Sequence, residues 1–546
     1  MKNCFVLKRA AFGVMLCVML IMVTSCSKSK EEKLMDRIPA DADMVIVCDV
    51  KSIVESLDGT VDGSSIQIPD DVFGVFGNRD KDDLEEFLSS LEGSGIDAEV
   101  CALFGIFDDE DSPYIVFPIE DREKFINLIQ SKDYEEENEE DGWTIYVQKD
   151  ESHSSYIGIK DSYAYLLPEV YANGCEVERK IKRMAGKAEN NPFSKTNMCR
   201  YIAEGNAGGV SLRISRNLRE MLEREGVPAE IAGKFKGYVC CRGNLNDNRA
   251  RFSMKIFDKN GEEMKAEYFN LRSDVNATLN QEAMKYLHKD EFLLVGLSLK
   301  GVDWDEIGKS VEGMLSSGEK AAWIVVKSYL EKIGGTVACG VGMKGGVSSF
   351  ENMESTQNID ELLAITMVIE IKKGKARSIV NDMKVFLEKD GVQCRENADG
   401  FRITVPGGAG NTPLTVLNVE AKGNYMVLSN RPIKQYDNSV LKNLELENKS
   451  AIAVLDLPKG NELLKDFGIE DRVKVVLSSD VKTNEVMLEL EFGETGKGGL
   501  MGRIMKAMED VEESPALQRR RNAYEVYDEY SEDDFYEDEV VEEYVD

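Results

Sequence analysis

Residues 238–257, YVCCRGNLNDNRARFSMKIF, and residues 474–492, KVVLSSDVKTNEVMLELEF, read as two hairpins of one design. In each, apolar and polar side chains alternate on both sides of a polar turn, which is the period of a half-buried strand. Aligned on their second strands, Phe252, Met254 and Ile256 fall on Leu488, Leu490 and Phe492. Four more pairs of segments match outward from this one, in the same order. DGWTIYV (141–147) corresponds to DGFRITV (399–405), and GGVSLRISRNLREML (208–222) to SAIAVLDLPKGNELL (450–464). DMVIVCDVKSIVESL (43–57) faces EFLLVGLSLKGVDWDEIGKSV (291–311), and YIVFPIEDREKFINLI (114–129) faces TMVIEIKKGKARSIVNDMKVFL (366–387). Collinear matches of this kind mean a tandem duplication.

The expected fold class is therefore α+β. A strand-helix-hairpin unit occurs twice, as two similar domains with mainly antiparallel or mixed sheets covered by helices. The organisation predicted is a leader at 1–25, a tether at 26–37, a first repeat at 38–264, a linker at 265–289, a second repeat at 290–500, a helical extension at 501–523 and a disordered acidic tail at 524–546. The alignment sets Trp143 over Phe401 and Val210 over Ile452, each pair facing a core, and the two domains would leave a groove between them. The span 374–389 reads as a helix with Ile379, Met383, Phe386 and Leu387 on one face. DYEEENEED (133–141), with seven acids in nine residues, reads as a loop.

The amino terminus carries an address. Lys2, Lys8 and Arg9 precede an apolar run from Ala10 to Val23, and Val23-Thr24-Ser25-Cys26 closes it with small residues before a cysteine. The run is short for a membrane span and has the three-part form of a cleaved export signal. Cleavage before Cys26 and acylation of that thiol would make an anchored lipoprotein, since each buried CH₂ adds ~0.8 kcal/mol and more than one chain holds firmly. Ser27 follows the cysteine where an inner-membrane retention signal would have Asp, so the expected location is the outer membrane, facing the periplasm or the cell surface.

Formal net charge is −33, and three of the positive charges lie in the leader. Such a field disfavours nucleic acid and anionic surfaces as partners. The last 23 residues hold 12 acids, no Lys or Arg, and Tyr524, Tyr527, Tyr530, Tyr536 and Tyr544. That density prevents a packed core and suits a solvated tail or a docking segment for a basic protein.

Eight cysteines lie beyond Cys26: Cys48, Cys101, Cys175, Cys199, Cys240, Cys241, Cys339 and Cys394. Their irregular spacing and apolar settings favour buried thiols over disulfides. His153 and His288 are the two histidines, and neither belongs to a metal-spaced group. Gly340-Val341-Gly342-Met343-Lys344-Gly345 satisfies Gly-x-Gly-x-x-Gly without a following helix. Gly308-Lys309-Ser310 ends like a phosphate loop, but Asp303 stands where its first glycine belongs, and Trp304 and Ile307 mark a packed helix. Asp108-Asp109-Glu110-Asp111 clusters acids without the alternation of a calcium loop. No catalytic, cofactor or metal residue is assigned, and Cys26, as the acylation point, is the one site residue.

The leader, the Ile38-Pro39-Ala40-Asp41-Ala42-Asp43 entry into a strand ending Asp49-Val50-Lys51-Ser52, and the long duplicated body together resemble an uncharacterised family of lipoproteins from Bacteroides-type bacteria, a domain of unknown function. The resemblance implies an envelope lipoprotein and brings no catalytic residues. The function expected is a non-enzymatic binding or scaffolding role. The alternative is an envelope hydrolase acting on glycan or peptide through residues brought together between the repeats.

Overall fold

The computed structural model describes residues 28–56, 58–69, 92–105, 113–149, 154–170, 174–205, 208–214, 219, 233, 236–246, 248–264, 277–288, 291–312, 317–343, 363–404, 416–436, 444, 446–457 and 472–493. The leader, Cys26, His153, Asp108–Asp111, the 501–523 extension and the acidic tail lie outside them.

The first half supplies helix α1 (Lys28–Met35), strand β1 (Met44–Asp49), α2 (Val50–Ser56), the small pair β2 (Thr60–Asp62) and β3 (Ser65–Gln67), then β4 (Val100–Gly105) and β5 (Tyr114–Pro118). It continues with α3 (Arg122–Ser131), β6 (Glu135–Glu140), β7 (Trp143–Lys149), β8 (Ser154–Lys160), β9 (Tyr163–Val170), α4 (Gly174–Asn190), α5 (Asn197–Ala203), β10 (Gly209–Arg213), β11 (Gly237–Asn246) and β12 (Arg249–Asp258). The second half runs α6 (Gln281–Met284), β13 (Glu291–Ser298), α7 (Trp304–Glu312), α8 (Ser317–Leu330), β14 (Ile333–Met343), β15 (Leu363–Ile371), α9 (Ala376–Lys389), β16 (Cys394–Glu396), β17 (Gly400–Thr404), β18 (Val416–Lys422), β19 (Tyr425–Ser429), β20 (Lys449–Leu457), β21 (Val473–Asp480) and β22 (Glu485–Phe492).

Two helix-covered α+β domains are not what these elements build. Strands dominate, and 20 of them form one antiparallel sheet. Its ladders run β6-β7-β8-β9-β5-β4-β1-β10-β11-β12 through the first half, cross to β22, and return β21-β20-β13-β14-β15-β19-β18-β17-β16 through the second. The strand order is the same in both halves. The halves share backbone hydrogen bonds where an inter-domain groove was expected, because each ends in a hairpin whose outer strand is an unpaired edge, and two such edges satisfy each other.

Helices lie on both faces of the sheet. On one face, Leu34 and Met35 of α1, Val177 and Ile181 of α4 and Met198 and Ile202 of α5 pack on Val45, Ala102 and Trp143. In the second half Ala283 and Met284 of α6, with Leu279 and Leu287, pack on Leu294, Ile452 and Val454 of that face. So residues within the stretches read as tether and linker reach the cores. On the opposite face, α3 covers Tyr146 and Ile157 near one end of the sheet, and α9 covers Phe401 and Val419 near the other. Asp121 caps α3 by accepting from the Lys124 N–H. In α9, Ile379 is buried but Phe386 is exposed, unlike the face expected for it.

The acidic run 133–141 is strand β6, not a loop. β6 is the edge of the sheet, where charged side chains can stay in water and block further pairing. Lys182 on α4 meets Glu140 at 3.1 Å and Glu178 at 2.7 Å.

The two core pairings drawn from the alignment also need correction. Trp143 and Phe401 are both buried, but on opposite faces, in different cores. Asp141-Gly142, both with positive φ, form a two-residue turn that pairs Glu140 with Trp143. The second copy spends four residues, 397–400, between Glu396 and its partner Phe401. Counted from the equivalent turns after Lys160 and Lys422, Phe401 opposite Val419 occupies the place of Tyr146 opposite Ile157. Val210 packs with Ile46 and Cys48, while Ile452 faces α6, so this pair also lies on opposite faces. An odd slip in register turns every side chain over.

Candidate binding surface

Directly opposed residues in a ladder share a face, so the pairings trace rows of side chains across the sheet. One row runs Ile46, Val210, Cys241, Met254, Val486, Ser479, Ala451, Leu297, Val337 and Ile369. The next runs Phe252, Leu488, Leu477, Ala453, Val295, Cys339 and Met367. Both rows are almost entirely apolar and lie on the face that carries α3 and α9 at its two ends.

The two halves treat this face differently. Ile46 and Cys48, the inner β1 residues turned this way, are 4% and 3% exposed, and α2, which follows β1 directly, touches β4. In the second half Val295 is 43% exposed, Leu297 40% and Leu477 47%, with Val486 and Met367 also exposed. Apolar side chains clustered in this way are characteristic of interaction sites. Covering them would contribute about 1–2 kcal/mol each. Ala451 and Ala453 on β20 lie between the Val295–Leu297 and Leu477 rows, which leaves a shallow trough two strand spacings, about 10 Å, across.

The reverse side of the junction is ionic. Arg251 binds Glu489 at 2.8 Å and Arg249 meets Glu491 at 3.4 Å across the β12–β22 ladder. Arg242 reaches Glu485 at 2.9 Å and stacks on Tyr201 at 4.5 Å. The region between the repeats, where the hydrolase reading required converging groups, is thus occupied by a ladder and its ion pairs.

The remaining residues singled out in the sequence are scattered. His288 packs against the Tyr436 ring at 4.3 Å, and its Nδ1 lies 2.7 Å from Arg431. Gly340 and Gly342 are within β14, where the Glu291 carboxylate lies over Gly340 so closely that a β-carbon there would be 2.0 Å from Oε2. That glycine makes room for a buried side chain and opens no phosphate loop. Gly308-Lys309-Ser310 falls in α7. Cys101, Cys240, Cys241, Cys339 and Cys394 are thiols outside any disulfide, and Cys199 meets the Met35 sulfur. Burial pushes the Cys240 thiol up to about 12, with Ser211 partly opposing the shift. Burial also raises Cys339, beside Glu291. Among the described residues no group of three or more His, Cys, Asp or Glu side chains could hold a metal ion, and no helix is long and apolar enough to cross a membrane. Alternating sequence pattern signalled the apolar rows. What it could not signal is which half leaves them uncovered.

No family model and no curated protein matches the chain. Among solved structures, crystal form IV of TP0453 is similar at 13% identity and a TM-score of 0.25, covering 40% of this chain and 79% of that one. Crystal form III of the same protein covers 45% of this chain and 88% of its own at 12% identity and the same TM-score. A protein of unknown function from the DUF3598 family of Nostoc punctiforme follows at 9% identity, 64% and 87% coverage and a TM-score of 0.09. Similarity at this level carries no argument about fold or role.

Proposed function

We propose that this is a non-enzymatic lipoprotein of the outer membrane, held by acyl chains on Cys26, that binds an apolar partner on the uncovered sheet face of its second half. The observation that carries the binding role is the exposed group Val295, Leu297 and Leu477 around the Ala451–Ala453 trough. The leader ending at Cys26 and the resemblance to envelope lipoproteins support the location.

Two measurements test the two parts. Metabolic labelling with a clickable fatty acid marks the wild type and leaves Cys26→Ala unmarked; label retained by the variant ends the anchor assignment. Nile red gains fluorescence on the wild type and loses that gain on Leu477→Lys, a change at an exposed position expected to shift stability by less than about 0.5 kcal/mol. Equal dye uptake by both proteins ends the assignment of the face.

A further inference from the structure

The face proposed as the binding surface has a matching apolar surface elsewhere in the same half. The connection from β13 to β14 folds as α7 and α8, which pack on each other where Trp323 closes over Gly308, and Lys327 pairs with Asp305. It holds the same place in the chain as the connection from β1 to β4, whose α2 touches the sheet. Yet α8 leaves Ile324 66% exposed, Val326 48% and Tyr329 43%. Ile324 and Val326 are two residues apart, about 200° around a helix axis, so apolar side chains meet water on opposite sides of α8. A helix apolar on several sides is ordinarily buried. The indole N–H of Trp323, also buried, has no acceptor among the described residues.

We infer that α8 is a cover for the Val295–Leu297–Leu477 face: in a closed state the α7–α8 hairpin lies over the trough, and an apolar partner binds by displacing it. The inference rests on the reading of that face as the binding surface. Three observations converge on it. The equivalent face is closed in the first half and open in the second, the unburied helix belongs to the connection that leaves β13 beside the open face, and the net charge of −33 opposes burial of this face against a second copy of the chain. The hairpin is joined to the sheet through residues 299–303 at one end and 331–332 at the other, and closing requires movement at those short joints.

Cys339 supplies the reporter, since it lies on this face directly between Val295 and Met367. In the full chain, Ile324→Cys and Val326→Cys are introduced singly, oxidised with copper phenanthroline and mapped by peptide mass. One of the two should form an intramolecular disulfide with Cys339, and the oxidised protein should lose Nile red uptake and regain it on reduction. Cys339→Ser in the same background should abolish both effects. If neither cysteine bonds Cys339, or if bonding is solely intermolecular, the cover is overturned. Its failure is distinguishable from that of the binding surface: dye uptake lost on Leu477→Lys without any disulfide keeps the surface and removes the cover. A disulfide in a chain that takes up no dye when reduced keeps the cover and removes the surface.

Discussion

Phe252 of β12 stands directly opposite Leu488 of β22, and these are the two residues that align as copies of one another in the duplicated sequence. A residue paired with its own counterpart in an antiparallel ladder marks a local two-fold axis. The hairpins that end the two halves therefore meet about this pair. From it the same strand order runs outward in both directions.

The register at that junction has an energetic signature. Reversing one charge, as in Arg251→Glu, sets two carboxylates against each other across the ladder, and adding Glu489→Arg restores an ion pair. A double-mutant cycle read by urea unfolding should show a coupling of about 0.5–1 kcal/mol. Zero coupling would mean that β12 and β22 are paired in another register.

Trp143→Ala and Phe401→Ala should each cost about 3–5 kcal/mol by opening a cavity in a buried core. Since the two residues belong to different cores, on opposite faces and in different halves, the double variant should lose nearly the sum. Strong non-additivity in denaturant midpoints would show that the cores are coupled in a way the sheet does not explain.

Gly158 of β8 sits beneath three buried side chains. A β-carbon there would come within 2.9 Å of Ile181 Cγ2 and 3.2 Å of both Ile145 Cδ1 and Trp143 Cζ3. Gly158→Val should therefore overpack the α4 contact and lower stability by about 1–3 kcal/mol. A melting temperature equal to that of the wild type would place α4 further from the sheet.

Alkaline stability should depend on Cys240. Its thiol has an ordinary value of 9.0 and is raised to about 12 by burial, so the folded state favours the protonated form. The stabilisation is complete below pH 9, where the unfolded thiol is also protonated, and is lost as pH rises from 9 towards 12. Cys240→Ala, compared with wild type by chemical unfolding at several pH values, should show a shallower fall over that window. Parallel curves would mean that the thiol ionises as freely in the fold as out of it.

Much was determined by the sequence alone. Alternation at period two marked the strands that became β11, β12, β21 and β22, and collinear matches marked the duplication, because both are properties of residue spacing that tertiary contacts do not have to supply. Asp141 and Gly142, in front of Trp143, adopt the positive φ that a tight turn needs, although the sequence of 133–141 reads as a loop. Three things were decided only by the tertiary structure. Which face Phe401 or Val210 occupies depends on turn length and ladder register, and a shift by an odd number of residues inverts the answer without disturbing the alternation. Whether two repeats become two domains or one sheet depends on whether their edge strands find each other, and hydrogen bonds between β12 and β22 join residues more than 230 positions apart. Whether an apolar face ends up covered depends on what the rest of the chain packs against it. Ile46 and Val295 both lie in apolar strand-forming runs, and only the fold buries one and leaves the other open.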